Sequence, residues 1–402
     1  MKAIMYGGGN IGRGFIGALF SQSGYEVTFI DVAENVVETL HRERRYPVRI
    51  VFSGGHEDVE ITNVDALNGN DTEAVAAAIA EADIMATAVG VNILKFIVPN
   101  IAAGLRRRFR ENDRPLNIII CENLMDADKI LEGMLKDRLT PEECALFDQR
   151  VGLVEASIGR MVPVQTPEMQ DGEPLRVCVE RYGFLPVDRA AFKGGVPEIR
   201  GMAPFEPFDY YIKRKLYIHN MGHAACAYLG LYTGREYIYQ SIAEAETYII
   251  VENAMLESAE ALSKKYGVPI PEILKHIQDL LLRFTNSALK DTCRRVGGDP
   301  ARKLSPADRL IGASSLCLKM GVTPCFIAVG AAGAVYHYLK EKGEPQGEEG
   351  CRKVLREVGG LQGGPISELI LPLYRLYAAG APIGALRRAA EAERGKTLTG
   401  II

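Results

Sequence analysis

A glycine-rich turn near the N-terminus constrains the fold of this 402-residue chain more than any other part of its sequence. The apolar residues 2–6 predict a buried strand, and Gly7-Gly8-Gly9-Asn10-Ile11-Gly12 follow it directly. A helix is expected over residues 13–23, and then a second strand over 26–30 that ends at Asp31. Strand, Gly-x-Gly-x-x-Gly turn, helix, strand and acid in this order predict a βαβ unit that binds a dinucleotide.

Each position of the turn has a physical reason. Gly7 permits the tight turn, Gly9 lets the backbone approach a pyrophosphate, and Gly12 allows the helix to pack closely against the strand. The N-terminus of the following helix is expected to face the phosphate charge, and Asn10 and Ile11 of the turn are expected beside the cofactor. The alternative is a glycine turn that only connects a strand to a helix.

Asp31 predicts which cofactor is bound. A carboxylate at a strand end can accept hydrogen bonds from ribose hydroxyls and repels a 2′-phosphate, so NAD is favoured over NADP. A later strand ends in Thr87-Ala88-Val89-Gly90. Because the carboxyl ends of parallel strands form the ligand crevice, Thr87 and Val89 are expected beside the cofactor.

Short apolar strands alternate with helical segments through the first half of the chain. Further strands are predicted at 48–52, 59–61, 84–88, 117–121 and 151–155, and helices at 71–81 and 94–112. This alternation is typical of a parallel, doubly wound sheet. From about residue 208 nearly every segment has a helical pattern. We therefore predict an α/β fold, with a Rossmann-type dinucleotide-binding domain at 1–192 and a mainly α-helical substrate and catalytic domain at 193–402.

Composition argues against several classes of protein. The formal net charge is -4, so no basic excess points to nucleic acid. No apolar run approaches the roughly 20 residues that cross a bilayer. The eight cysteines lie far apart without a Cys-x-x-Cys pair, which favours reduced thiols in the cytoplasm and no zinc site. We expect a metal-independent, cytoplasmic monomer or homodimer whose partner is a small molecule.

The densest polar cluster of the helical half is KRKLYIHNMGH at 213–223. On an α-helix Lys215, His223 and Asn220 fall at about 0°, 80° and 140°, so they share a face. Oxidation of an alcohol needs a base for the hydroxyl proton and donors for the developing carbonyl oxygen. A lysine among other cations can be that base, and an amide can be that donor. A solvated basic helix start with a buried histidine is the alternative.

The order Lys215-x4-Asn220-x2-His223 resembles the active-site pattern of the polyol-specific long-chain dehydrogenases and reductases. Within that family the chain is most similar to the branch that acts on mannitol 1-phosphate. Further segments carry the resemblance over nearly the whole length: GGGNIGRGFIG at 7–17, TAVG at 87–90, LNIIICEN at 116–123, FKGGVP at 192–197, KRKLYIHNMGHAACAYLG at 213–230, RFTNSALKDTCRRVG at 283–297 and RKLSPADRLI at 302–311.

The resemblance implies a role for each residue. Lys215 is expected to be the base in oxidation and the acid in reduction, without zinc. Asn220 is expected to form an oxyanion pocket with Asn123, and His223 to bind substrate hydroxyls. The implied fold is a Rossmann domain followed by a helical domain.

One position departs from the family. The stretch VEASIGRMVP at 154–163 resembles a segment that normally carries Asp before the arginine, and here that position is Gly159. The family aspartate is linked to substrate contact and proton handling, so its loss leaves the exact substrate open. Glu155 is a candidate replacement four residues earlier, and Arg160 is retained as a candidate substrate contact.

A phosphate group would need cations from the second half of the chain. The candidates are Arg294, Arg295, Arg302, Lys303 and Arg309. Arg302 and Lys303 fit a phosphate clamp best, because a guanidinium fork and a point charge can share the oxygens. A solvated basic helix end is the alternative.

Three functions remain open from the sequence. The favoured one is an NAD-dependent oxidoreductase that interconverts a sugar-alcohol phosphate and a ketose phosphate, mannitol 1-phosphate and fructose 6-phosphate. The second keeps the chemistry but acts on a free polyol or a sugar-acid ketose such as tagaturonate. The third is a non-catalytic, NAD-binding regulator, which only Gly159 favours.

Overall fold

The computed structural model describes residues 1–399 and divides into two compact units, Met1–Phe208 and a second that begins at Asp209. The predicted division after residue 192 falls inside the first unit. Residues 193–208 stay with that unit because the side chain of Asn117 bonds both backbone polar groups of Lys193, and because a strand at Met202–Phe205 pairs within it.

The strands lie in the first unit. They are β1 (Lys2–Tyr6), β2 (Glu26–Asp31), β3 (Arg45–Phe52), β4 (Gly55–Thr62), β5 (Val64–Asn68), β6 (Ile84–Thr87), β7 (Leu116–Ile120), β8 (Val151–Glu155), β9 (Val177–Val179), β10 (Leu185–Asp188) and β11 (Met202–Phe205).

The α-helices are numbered through both units. Those of the first unit are α1 (Gly17–Gln22), α2 (Glu34–Glu43), α3 (Thr72–Glu81), α4 (Val91–Glu111), α5 (Ala127–Lys136), α6 (Pro141–Arg150) and α7 (Pro167–Gln170). Those of the second are α8 (Asp209–Arg214), α9 (Met221–Thr233), α10 (Ile238–Ile242), α11 (Ala245–Tyr266), α12 (Ile270–Phe284), α13 (Cys293–Gly297), α14 (Pro300–Lys303), α15 (Ile311–Lys319), α16 (Cys325–Lys342), α17 (Glu348–Glu357), α18 (Pro365–Ala378) and α19 (Ile383–Thr399). Two π-helical segments, Gly12–Ile16 and Lys215–Asn220, and a 3₁₀ turn at Ser287–Leu289 complete the helices.

The predicted doubly wound sheet is confirmed. Six strands pair in the order β5-β2-β1-β6-β7-β8, and all of these pairs are parallel. Side chains of β1 alternate between two apolar cores: Ala3 and Met5 enter one, and Ile4 and Tyr6 enter the other. Both faces of the sheet are therefore covered, which is the usual state of a parallel sheet.

Two of the predicted strands lie outside the main sheet. β3 and β4, which match the predicted 48–52 and 59–61, form an antiparallel hairpin that pairs with β9 in a separate three-stranded sheet. The edge strand β5 of the main sheet was not predicted, because VDALN carries polar residues at a sheet edge rather than a continuous apolar run.

The second unit is helical within the described residues, as predicted. Its central helix α16 packs against α9, α11 and α18, and most of its residues are buried. Small residues allow this close approach: a Cβ on Gly330 would lie 2.9 Å from the Cβ of Ala225. No helix among residues 1–399 combines the length and the apolar character needed to cross a bilayer.

Candidate active site

The backbone of the glycine turn has the geometry that the sequence predicts. Gly7 has φ +105°, and a Cβ there would lie 2.5 Å from the carbonyl oxygen of Ala88. A Cβ on Gly12 would lie 1.9 Å from the oxygen of Gly7, so only glycine lets the helix approach the strand. At Gly9 a Cβ would meet no atom within 4 Å, so this face of the turn is open to a ligand.

Helical backbone begins at Asn10, directly after the turn. The amide of Arg13 is the first to bond back, to the oxygen of Gly9 at 2.9 Å. The amides at the start of a helix lack intrahelical acceptors and attract an anion. Asn10 is exposed and Ile11 partly exposed, so this helix start can hold a pyrophosphate.

Asp31, which is predicted to contact the ribose, also holds the turn. Its Oδ2 accepts the amide of Gly8 at 2.7 Å, and its Oδ1 accepts the amide of Ala33 at 3.0 Å. A carboxylate offers about four lone-pair directions, so both oxygens can still accept a ribose hydroxyl. The residues present at this turn therefore fit a dinucleotide with free ribose hydroxyls.

Two arginines support the helix behind the turn. Arg13 is buried and donates to the oxygens of Gly8 at 2.6 Å and Leu175 at 2.5 Å. Arg160 donates to the oxygens of Gly14 at 2.9 Å and Glu180 at 3.0 Å. Arg160 thus has a structural role in the first unit, and a substrate contact by it stays a prediction.

The turn after β6 is held by a carboxylate that sequence reasoning did not single out. Oε1 of Glu122 accepts the amide of Val89 at 3.0 Å, and Oε2 accepts the amide of Gly90 at 2.8 Å. Val89 is partly exposed, whereas the side chain of Thr87 is fully buried. The Thr87 hydroxyl has no hydrogen-bond partner among the described residues.

Asn123 is exposed and lies in the segment that joins β7 to α5. Glu155 ends the neighbouring strand β8. Burial, together with the nearby charge of Asp128, raises the pKa of Glu155 to about 7.

The candidate catalytic residues of the second unit lie on and just after a π-helical segment, Lys215–Asn220. A π-helix bonds i to i+5 and advances by about 80° per residue. Lys215 and Asn220 therefore lie about 40° apart instead of the 140° of an α-helix. His223, in the following α-helical turn, falls within about 60° of both. The π segment gathers these three side chains on one face more closely than an α-helix would.

Cations and aromatic rings surround this face. Burial, with the charges of Arg283, His223, His276 and Lys215 nearby, lowers the pKa of His219 well below its ordinary value. The ring of His223 stacks on Phe284, with centroids 4.8 Å apart. Its Nε2 lies 3.2 Å from Oδ2 of Asp291. A lysine, an amide and an oriented imidazole on one face can exchange a proton and donate to an oxygen.

The predicted phosphate ligands differ in their surroundings. Arg302 is exposed and bonds Asp299 at 3.0 Å. Lys303 is buried and donates to the oxygen of Gly298. Burial, helped by the charges of Arg309 and Arg302, lowers the pKa of Lys303 to about 8. The Arg309 guanidinium is paired with Asp308 at 2.7 Å, so the buried Lys303 amine is the cation that would gain most from an added anion.

The structure gives a steric reason for Gly159. A Cβ at this position would lie 3.1 Å from Cε1 of Tyr182, so a side chain there would require the tyrosine ring to shift by a few tenths of an ångström. Gly159 has no positive φ that would demand glycine. Among residues 1–399, no group of three His, Cys, Asp or Glu side chains is arranged to hold a metal ion.

Two family models match the chain. The mannitol dehydrogenase Rossmann domain matches residues 1–201, and the mannitol dehydrogenase C-terminal domain matches residues 208–352. The mannitol-1-phosphate 5-dehydrogenase of Thermoanaerobacter pseudethanolicus is 36% identical over 371 residues, which cover 90% of this chain and 94% of that protein. The enzyme of the same name from Brevibacillus brevis is 36% identical over 377 residues, covering 92% and 96%.

Two solved structures share the fold at low identity. A substrate-free D-sorbitol dehydrogenase has a TM-score of 0.78 and 14% identity, with 94% of each chain covered. Mannitol 2-dehydrogenase of Pseudomonas fluorescens, in a ternary complex with NAD and D-mannitol, has a TM-score of 0.74 and 15% identity, with 98% of this chain and 94% of that one covered.

Proposed function

The chain belongs to the mannitol dehydrogenase family, and on that premise we propose that it is an NAD-dependent, metal-independent dehydrogenase that interconverts mannitol 1-phosphate and fructose 6-phosphate. Family membership, which confirms the resemblance seen in the sequence, makes it a polyol dehydrogenase. Its free cysteines, most of them buried, are in keeping with a cytoplasmic enzyme.

The observation that carries the choice of substrate is the near full-length similarity to two mannitol-1-phosphate 5-dehydrogenases, at 36% identity each. The buried pair of Lys303 and Arg309 supports it. Arg309 is already paired with Asp308 at 2.7 Å, so a phosphate dianion here would mainly compensate Lys303, whose pKa burial lowers. A free polyol offers no such compensation.

The proposed chemistry divides among few residues. Bound NAD would accept a hydride from the substrate carbon, and the turn at Gly7–Gly12 with Asp31 would hold its pyrophosphate and ribose. Lys215 takes the hydroxyl proton in oxidation and returns it in reduction. Asn220 donates a hydrogen bond to the developing carbonyl oxygen, and the resemblance gives Asn123 the same role.

His223 binds a substrate hydroxyl in this proposal. Its Nε2 lies 3.2 Å from Oδ2 of Asp291, and this contact orients the ring. Stacking on Phe284 fixes the plane of the ring. An oriented polar ring selects a polyol chain over an apolar alcohol.

A panel of ketoses with NADH tests the proposal. Oxidation of NADH should be much faster with fructose 6-phosphate than with fructose or tagaturonate, followed at the nicotinamide absorbance. Faster turnover of an unphosphorylated ketose would move the assignment to a free polyol or a sugar-acid ketose. Tight NADH binding without turnover of any ketose would instead favour a non-catalytic regulator.

A further inference from the structure

The two peptide groups on either side of Gly8 are each held by a charged side chain. Oδ2 of Asp31 accepts the Gly8 amide at 2.7 Å, and Nε of Arg13 donates to the Gly8 carbonyl oxygen at 2.6 Å. Gly8 itself is buried. The central residue of the glycine turn is therefore fixed by a negative charge at one end and by a positive charge at the other.

The bond from Arg13 sets the direction of the next amide. In a trans peptide the C=O and N–H groups point to opposite sides, so the Gly9 N–H points away from the guanidinium that holds the Gly8 oxygen. Gly9 is exposed, and its amide donates to no acceptor among residues 1–399. A Cβ at Gly9 would meet no atom within 4 Å. Arg13 thus turns a backbone donor outward into open space.

The backbone of Arg13 continues the same arrangement. Its amide donates to the Gly9 oxygen at 2.9 Å. The N–H of Asn10 belongs to the same peptide as that oxygen, so it also points away from the helix. Successive N–H groups that point outward form a concave site for an anion. The side chain and the backbone of one residue therefore shape both donors of this site.

The side chain of Arg13 is a buried cation without a carboxylate partner. It is only 6% exposed, and its second bond, from Nη1 to the Leu175 oxygen at 2.5 Å, also ends on a carbonyl. Within residues 1–399 no carboxylate lies at ion-pair distance from it. A buried charge is costly unless an opposite charge offsets it. An anion on the outer side of the Gly8–Gly9 peptide would do so, and the cation in turn polarises the Gly9 donor through that peptide.

A second buried contact holds the same helix without reaching the glycine turn. The hydroxyl of Tyr46, which is 1% exposed, donates to the backbone oxygen of Arg13 at 2.8 Å. This bond is similar in length to the one between Arg13 and Gly8, but it leaves the Gly8 carbonyl untouched. Tyr46 therefore offers a matched comparison, in which helix support is lost and the turn keeps its guanidinium.

We propose that Arg13 is a positioning residue for the cofactor, which aims the Gly9 amide at the pyrophosphate of NAD and places a positive charge behind that amide. The proposal rests on the proposed function, which assigns the pyrophosphate to the turn at Gly7–Gly12. Arg13 therefore acts on ligands that carry a pyrophosphate and leaves the binding of adenosine, which lacks one, unchanged.

The experiment measures dissociation constants for NADH, ADP-ribose and adenosine by calorimetric titration of the full chain, with no ketose present. Arg13→Met should bind NADH and ADP-ribose weaker by roughly tenfold or more, with the adenosine constant unchanged. Arg13→Lys keeps the charge but loses the planar fork that reaches two carbonyls, so its losses should lie between those of Arg13→Met and wild type. Tyr46→Phe, the matched control, should lower the temperature of unfolding and leave all three constants unchanged.

Gly9→Val separates this inference from the proposed function. A Cβ at Gly9 meets no atom of the fold, so valine should leave the fold intact and occupy the space of the anion. NADH binding that survives in Gly9→Val counts against this turn as the cofactor site, and so against the proposed function. Loss of NADH binding in Gly9→Val, together with wild-type affinity for ADP-ribose in a folded Arg13→Met, overturns the role of Arg13 alone.

The adenosine constant distinguishes positioning from a general loss of structure. Equal losses for adenosine and ADP-ribose in Arg13→Met would overturn the proposal, because the whole site would then be disturbed. Circular dichroism and thermal unfolding establish that the variants are folded. If Arg13→Met does not fold, Arg13→Lys decides: weaker binding of ADP-ribose with unchanged adenosine binding supports the role of Arg13, and wild-type affinity for ADP-ribose overturns it.

Discussion

Nε2 of His223 lies 3.2 Å from Oδ2 of Asp291, and that carboxylate is itself held by Arg295 through two hydrogen bonds of 2.7 Å. Burial favours the neutral form of Asp291, but His223 and Arg295 outweigh it and lower its pKa below its ordinary value. Asp291 is therefore a charge that orients the histidine. It also links the candidate catalytic face to Arg295, which the sequence suggests only as a candidate phosphate ligand.

Asp291→Asn should weaken substrate binding through His223. An amide keeps the size of the carboxylate but removes the charge that orients His223, so the KM for the polyol should rise by roughly tenfold or more, as expected when a contact to a charged group worth about 1.5–3 kcal/mol is lost. His223→Ala should have a similar effect, and the double variant should be little worse than either single one. Fully additive losses in this cycle would show that Asp291 does not act through the histidine.

Lys215→Ala should remove turnover and leave NADH affinity unchanged. Loss of a general acid–base group costs typically about 10²–10⁴-fold in rate. Lys213→Ala is the matched control, because Lys213 lies two residues before Lys215. Its amine lies 5.3 Å from the centre of the Tyr217 ring. Steady-state rates and NADH titration measure both effects. Equal losses in the two variants, or a large loss of NADH affinity, would mean that Lys215 is not the proton carrier.

Local pattern was enough to predict the parallel sheet, because strands, glycine turn and acid follow one another within one βαβ unit. The local pattern did not predict the hairpin of β3 and β4, because its strands have the same short apolar pattern as strands of the main sheet. In the structure β3 pairs with β4 and with β9, which lies more than a hundred residues later in the sequence. A pattern states that a strand forms but not which strand it meets.

The candidate site was predicted in part for the same reason. Side chains that are expected to meet a ligand stand in recognisable motifs, and their contacts with cofactor and substrate stay predictions. The sequence did not identify Glu122 and Arg13, because both bond to backbone groups that are remote in sequence. No spacing pattern predicts such a bond. The π segment at Lys215–Asn220 also has no sequence signal of its own. The sequence therefore predicts the positions of Lys215, Asn220 and His223 only with α-helical angles.

Asp31→Ser should shift the cofactor preference toward NADP and also weaken NAD. Removal of the charge ends its repulsion of a 2′-phosphate, but the shorter hydroxyl cannot hold both Gly8 and Ala33 as the carboxylate does. We expect kcat/KM with NAD to fall about tenfold or more, and the ratio of NADP to NAD activity to rise by a larger factor. An unchanged ratio would show that Asp31 holds the turn without contacting the ribose.

Lys303 gives the binding of a phosphorylated substrate a pH dependence of defined sign. Its pKa is lowered to about 8 by burial and by Arg309 and Arg302, so the amine is protonated below pH 8 and neutral above it. A bound phosphate favours the ammonium form and is favoured by it. The second ionisation of a phosphate monoester is at about 6, so between pH 7 and 9 the substrate charge is constant and Lys303 is the group that changes.

The dissociation constant of fructose 6-phosphate should therefore rise by up to about tenfold from pH 7 to pH 9 in the wild type. Lys303→Met should bind it weakly at both pH values, with little change between them, because the titrating charge is gone. Fructose, which lacks the phosphate, is the control ligand and should bind with the same affinity at the two pH values in both proteins. Calorimetric titration without turnover measures all of these constants. Equal pH dependence in wild type and Lys303→Met would remove Lys303 from the phosphate site and return the choice to the remaining cations, Arg294, Arg295, Arg302 and Arg309.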